Sequence, residues 1–125
     1  IFIGLSKPQT LTKDMIRKMK SHPIIFALAN PTPEIMPEDA LEAGAYIIAT
    51  GRSDYPNQVN NSLVFPGLWK GVLEARIPQF KMEMFVSVAE ALANSVDDLN
   101  TGKILPTMFD KNLVETVSNA IKKYK

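Results

Sequence analysis

Three short apolar runs dominate the first fifty residues: IFIGL at 1–5, IIFALA at 24–29 and AYIIA at 45–49. Each is rich in β-branched or aromatic residues and none alternates with polar ones, the pattern of a strand buried on both faces. The segments between them read as helices. In TLTKDMIRKMKSH, Met15, Ile16 and Met19 fall at helical spacing opposite Lys13, Arg17 and Lys20. In MPEDALEAG, Pro37 suits the first helical position, Glu38 and Asp39 favour the positive end of the helix dipole, and Gly44 suits the left-handed residue that closes a helix. A β-α-β-α-β alternation predicts parallel pairing and an open α/β sheet with helices on its faces.

After Ala49 the pattern changes. The polar loop TGRSDYPNQVNN leads into LVFPGLWKGVLEAR, read as a helix kinked or restarted at Pro66. FKMEMFVSVAEALANSV then places Met82, Phe85, Val86, Ala89, Ala93 and Val96 on one stripe. Asp110 is the predicted N-cap of a last helix, KNLVETVSNAIKKYK, with Val114, Val117, Ile121 and Tyr124 as its apolar stripe and lysines at its C-terminal end.

Composition narrows the partners. With 125 residues the chain is long enough for one domain with a real core. Its 46% apolar and 22% charged residues and net charge of +1 call for neither a nucleic acid nor an acidic membrane surface. It has no cysteine, so no disulfide and no thiolate-held metal, which fits a cytoplasmic setting. The apolar runs are too short to cross a bilayer. The chain opens directly on an apolar run without an initiating Met, as a piece of something longer would.

In an open parallel sheet, ligands bind beyond the carboxyl ends of the strands. The residues there are Ser6, then Asn30, then Thr50-Gly51-Arg52-Ser53, and the stretch NQVNN returns towards the same edge. An Asn offers an amide donor to a carboxylate without charge, whereas an Asp would repel it by about 4 kcal/mol at contact distance in an intermediate dielectric. A local role is open as well: Asn30 can begin an Asx turn before Pro31, and Asn60 or Asn61 can cap the next helix. Arg52 can pair with Asp54 or face a ligand. His22, the single histidine, is read as a surface residue near helix carbonyls. There is no G-x-G-x-x-G phosphate-binding turn.

The segments PIIFALANPTPEIMPEDA and ATGRSDYPNQVNNSLVFPG, with the closing helices, resemble the cofactor-binding domain of malic enzymes, particularly the bacterial form. The resemblance covers essentially the whole chain. It implies a Rossmann-like parallel sheet, of which residues 1–125 are the C-terminal portion with about three strands and extra C-terminal helices. It implies oxidative decarboxylation of malate to pyruvate and CO2 with NAD or NADP, assisted by a divalent metal, Mg or Mn. It puts Asn30, Asn60 and Asn61 against substrate, and Ser6, Asn30, Gly51 and Asn60 on the cofactor side. The family's acid/base pair and metal ligands lie upstream of such a segment, so no catalytic or metal-ligating residue is assigned and the segment alone is expected to be inactive. Its partners would be the rest of the enzyme chain and a second copy in a homo-oligomer. A different NAD(P)-dependent dehydrogenase domain, or a non-catalytic binding or assembly module, are the alternatives.

Overall fold

The computed structural model describes residues 1–125, which divide into two compact units. The first comprises Ile1–Val59 with Asn100–Lys103, and the second Asn60–Leu99 with Ile104–Lys125.

In the first unit the order is β1 (Phe2–Gly4), α1 (Lys13–Arg17), β2 (Ile24–Ala27), α2 (Pro37–Glu42) and β3 (Ile47–Thr50). The strands form a parallel sheet in the order β1-β2-β3, with Phe2 beside Ile25 and Ile25 beside Ile48. Alternation along the strands therefore puts Phe2, Ile25, Ala27 and Ile48 on one face. They pack there against Ile16 of α1, Ala40 of α2 and the flanking Leu11, Ile35, Ala43 and Ala45. Both helices of this unit cover that face, so the expectation of two buried faces holds only in part: on the other face Ala49 is buried, Phe26 and Ile47 are half-buried, and Ile3 is 64% exposed.

The helix ends follow the local chemistry. Thr12 caps α1 by accepting from the Met15 N–H. Pro37 opens α2 with Glu38 and Asp39 in its first turn, and Gly44 adopts a φ of 98° just beyond its end. Of the three apolar residues expected to face the core from the first helical segment, Ile16 in α1 is buried, Met19 just past its end is half-buried, and Met15 points outward. His22 meets the Tyr46 ring edge-on at 4.7 Å rather than helix carbonyls.

The second unit is helical: a single 3-10 turn (Asn61–Leu63), α3 (Phe65–Ala75), α4 (Met82–Asn94) and α5 (Leu113–Lys122). Pro66 lies in the first turn of α3, so it starts that helix rather than kinking it. In α4 the expected stripe is corrected. Met84, Val88 and Leu92 face the core, while Met82, Phe85 and Val86 are exposed. Both sets are apolar at helical spacing, and packing selects the face. Phe85 instead stacks on Phe80, which meets Trp69 edge-on, in a surface aromatic cluster.

Asp110 does not cap α5; Asn112 holds that position. The Asp110 carboxylate accepts from the N–H and hydroxyl of Thr107 at 3.0 and 2.7 Å, closing the preceding turn. Leu113, Val117, Ala120 and Ile121 form the buried side of α5 with Leu68 and Val72 of α3, and Val114 is 38% exposed. No helix is long and apolar enough to cross a membrane.

Candidate functional site

The three strands run in one direction, so their carboxyl ends, Gly4, Ala27 and Thr50, lie side by side. Pairing extends one step past β2, where the Leu28 N–H donates to the Gly4 carbonyl at 3.0 Å. Beyond that point the backbone N–H groups of diverging strands need other acceptors. Glu34 supplies them: its carboxylate, 0% exposed, accepts from Ser6 N–H at 2.9 Å and from Ala29 N–H at 3.1 Å. Gly4 makes the room, since a Cβ there would come within 2.5 Å of the Glu34 carboxyl carbon.

Asn30 follows Ala29 and is joined to Pro31 by a cis peptide bond. Its side chain is exposed and lies over Gly51, where an added Cβ would come 2.9 Å from Asn30 Nδ2. Ser6, Asn30 and Gly51 are thus gathered at one end of the sheet. The NQVNN stretch turns back alongside β3: Gln58 bridges Thr50, and the Val59 N–H donates to the Thr50 carbonyl at 2.7 Å. Asn60 is the next residue, and with Asn61 it belongs to the second unit. Asn60 Oδ1 accepts from Ser62 N–H at 3.0 Å, capping the 3-10 turn, which leaves its amide NH2 as a donor; Asn61 is exposed at the start of that turn.

The three asparagines of this stretch therefore divide. Asn57 is buried, with its Nδ2 donating to the Ile48 carbonyl at 3.0 Å and the Thr101 carbonyl at 2.8 Å, and it takes a left-handed φ of 56°. It ties the return loop to the outer edge of β3. Arg52 resolves to Asp54, through a bidentate pair at 2.9 and 2.6 Å, with its guanidinium over the Tyr55 ring. That pair holds the Asp54 carboxyl below its ordinary range and the Arg52 guanidinium above its own. The Tyr55 hydroxyl donates to Glu38 at 2.8 Å, which pushes the phenol up.

At the strand ends of the first unit the neutral Asn30 amide stands on a backbone held by the Glu34 carboxylate. Amides can pair with a carboxylate or, as donor and acceptor together, with a carboxamide. Gly51, lacking a side chain, leaves the space in which the Asn30 amide lies. The residues do not fit a metal: no group of three or more His, Cys, Asp or Glu residues comes together to hold one. Sequence reasoning missed Glu34 and Asn57. A signal for the first was an acidic residue inside an otherwise apolar, proline-flanked PTPEIMP; for the second, Asn is among the residues that tolerate left-handed backbone.

The family described as malic enzyme, NAD binding domain, matches residues 1–124. The bifunctional malic/malolactic enzyme of Bacillus subtilis is 50% identical over 125 residues, covering 98% of this chain and 30% of the relative. The NAD-dependent malic enzyme of Geobacillus stearothermophilus is 46% identical over 123 residues, covering 97% of this chain and 26% of the relative. The crystal structure of an NAD-dependent malic enzyme from Thermotoga maritima superposes with a TM-score of 0.92 at 49% identity, over 97% of this chain and 32% of that one. The chain thus spans about a third or less of the proteins it matches. By the match along nearly its whole length, the chain belongs to the malic enzyme NAD-binding domain family.

Proposed function

We propose that residues 1–125 are the C-terminal portion of the NAD(P)-binding domain of a malic enzyme, and that they form the wall facing malate and nicotinamide in the oxidative decarboxylation of malate to pyruvate and CO2. The observation that carries this reading is the Asn30 amide lodged over Gly51 at the carboxyl end of the sheet. Asn30, Asn60 and Asn61 donate to the carboxylates of malate without opposing their charge. Asn30 and Asn60 also pair with the nicotinamide carboxamide, Gly51 makes the room in which the Asn30 amide lies beside it, and Ser6 borders the ring. NAD or NADP, when bound, takes up the hydride released from the carbinol carbon of malate. This chain's own residues bind and orient; no acid, base or metal ligand is assigned among them. The rest of the enzyme chain and a second copy are the proposed partners, in the cytoplasm.

The test uses the full-length enzyme with Asn30→Ala, Asn60→Ala and Asn61→Ala. Hydrogen bonds to a charged ligand contribute about 1.5 to 3 kcal/mol each, so kcat/KM for malate should fall roughly 10- to 100-fold in each variant. Values within twofold of wild type in all three would contradict the proposal.

A further inference from the structure

Glu34 is the one charged side chain withdrawn into the interior. Its carboxylate is balanced by two backbone amides, those of Ser6 and Ala29. Both donors lie in the segments leaving β1 and β2, where the ladder has ended, and one carboxylate bridges them. Its own backbone carbonyl also accepts from Leu11 N–H at 3.2 Å, anchoring the segment that carries it. Ala29 directly precedes Asn30, and Ser6 is itself a candidate on the cofactor side. The Asn30 side chain makes no hydrogen bond of its own that would aim it, so its direction follows from where the Ala29 backbone is held.

We infer that Glu34 is a positioning residue for the substrate site: the carboxylate sets the spacing between the Ser6 and Asn30 segments and thereby aims the Asn30 amide at malate. The inference rests on the reading of Asn30 as a substrate contact. The role is specific to a carboxylate, because each N–H meets a different oxygen, Ser6 on Oε1 and Ala29 on Oε2, and both positions must accept. A glutamine of the same shape turns its NH2 towards one of them, setting donor against donor. Gly4 belongs to the same device, since a methyl group there would press on the carboxylate from below.

The experiment compares Glu34→Gln, Gly4→Ala and Asn30→Ala in the full-length enzyme, with Ile16→Val as a control that loosens the same core away from the strand ends. We expect Glu34→Gln and Gly4→Ala each to raise KM for malate about tenfold with kcat changed less than threefold, while Ile16→Val lowers the melting temperature and leaves KM alone. Should Glu34→Gln fail to fold, Glu34→Asp, which keeps the charge but draws it back by one methylene, takes its place beside Gly4→Ala. A wild-type KM in the Glu34 and Gly4 variants overturns the inference. If Asn30→Ala still raises KM in that case, only the positioning role is lost; if Asn30→Ala is also silent, the reading of the site itself is lost.

Discussion

The amide of Asn30 occupies the space that a side chain on Gly51 would need, with Nδ2 2.9 Å from the position of the missing Cβ. Two strand ends are thereby coupled through one absent methyl group. Gly51→Ala should displace the Asn30 side chain and lower kcat/KM for malate about tenfold, an effect of about 1.4 kcal/mol. Because the loss passes through Asn30, adding Gly51→Ala to Asn30→Ala should cost little more. A double-mutant cycle on steady-state rates checks this, and full additivity would refute the coupling.

Asn57 carries the return loop rather than the ligand. Asn57→Ala removes both donated hydrogen bonds and places a Cβ-bearing residue without a compensating polar group at a left-handed φ, so it should destabilise the protein by about 2 to 4 kcal/mol. Asn57→Gly loses the bonds but not the backbone conformation, and should be milder by about 1 kcal/mol. Urea denaturation of the two variants separates these contributions.

The two faces of α4 give opposite expectations. Met84, 0% exposed, should cost about 2 to 5 kcal/mol when truncated to alanine, as buried Leu, Ile and Met side chains do. Met82, 73% exposed, should change stability by less than about 0.5 kcal/mol. A larger loss for Met82 than for Met84 in a thermal melt would mean that the helix is turned the other way.

Glu74 of α3 sits between Lys122 of α5 and Lys70, and these two, Lys122 first, hold its carboxyl down from 4.5 to about 2. A carboxylate whose folded pKa is depressed contributes stability that is fully present above its unfolded pKa and is lost as pH falls through the folded value. Lys122→Met should therefore lower the denaturation midpoint at neutral pH. The gap from wild type should close between pH 4.5 and about 2, and should narrow with added salt because the groups are exposed. A gap independent of pH would place the effect of Lys122 elsewhere.

Much of the first unit was legible because its signals are local. The unbroken run at 24–29 contains β2, Pro37 opens α2, and Gly44 takes the left-handed turn expected of it. Arg52, left between two partners by the sequence, has its answer two residues away in Asp54. What stayed hidden depends on distant residues. Glu34 can be buried only because Gly4, thirty positions earlier, leaves room and because Ser6 and Ala29 offer their amides. In α4, hydrophobic periodicity marks two stripes, and only the helices packed against it decide between Met82 and Met84. Asp110 has the chemistry of an N-cap, but Thr107 engages its carboxylate first.

The central claim, that uncharged amides at the carboxyl end of the sheet receive a dicarboxylate, is tested most directly by Asn30→Asp in the full-length enzyme. The change is nearly isosteric and the side chain is exposed, so folding should be intact. A second negative charge about 4 Å from the bound carboxylate costs about 4 kcal/mol in an intermediate dielectric, so KM for malate should rise at least a hundredfold and exceed that of Asn30→Ala. A KM for malate in Asn30→Asp equal to that of wild type would contradict the account.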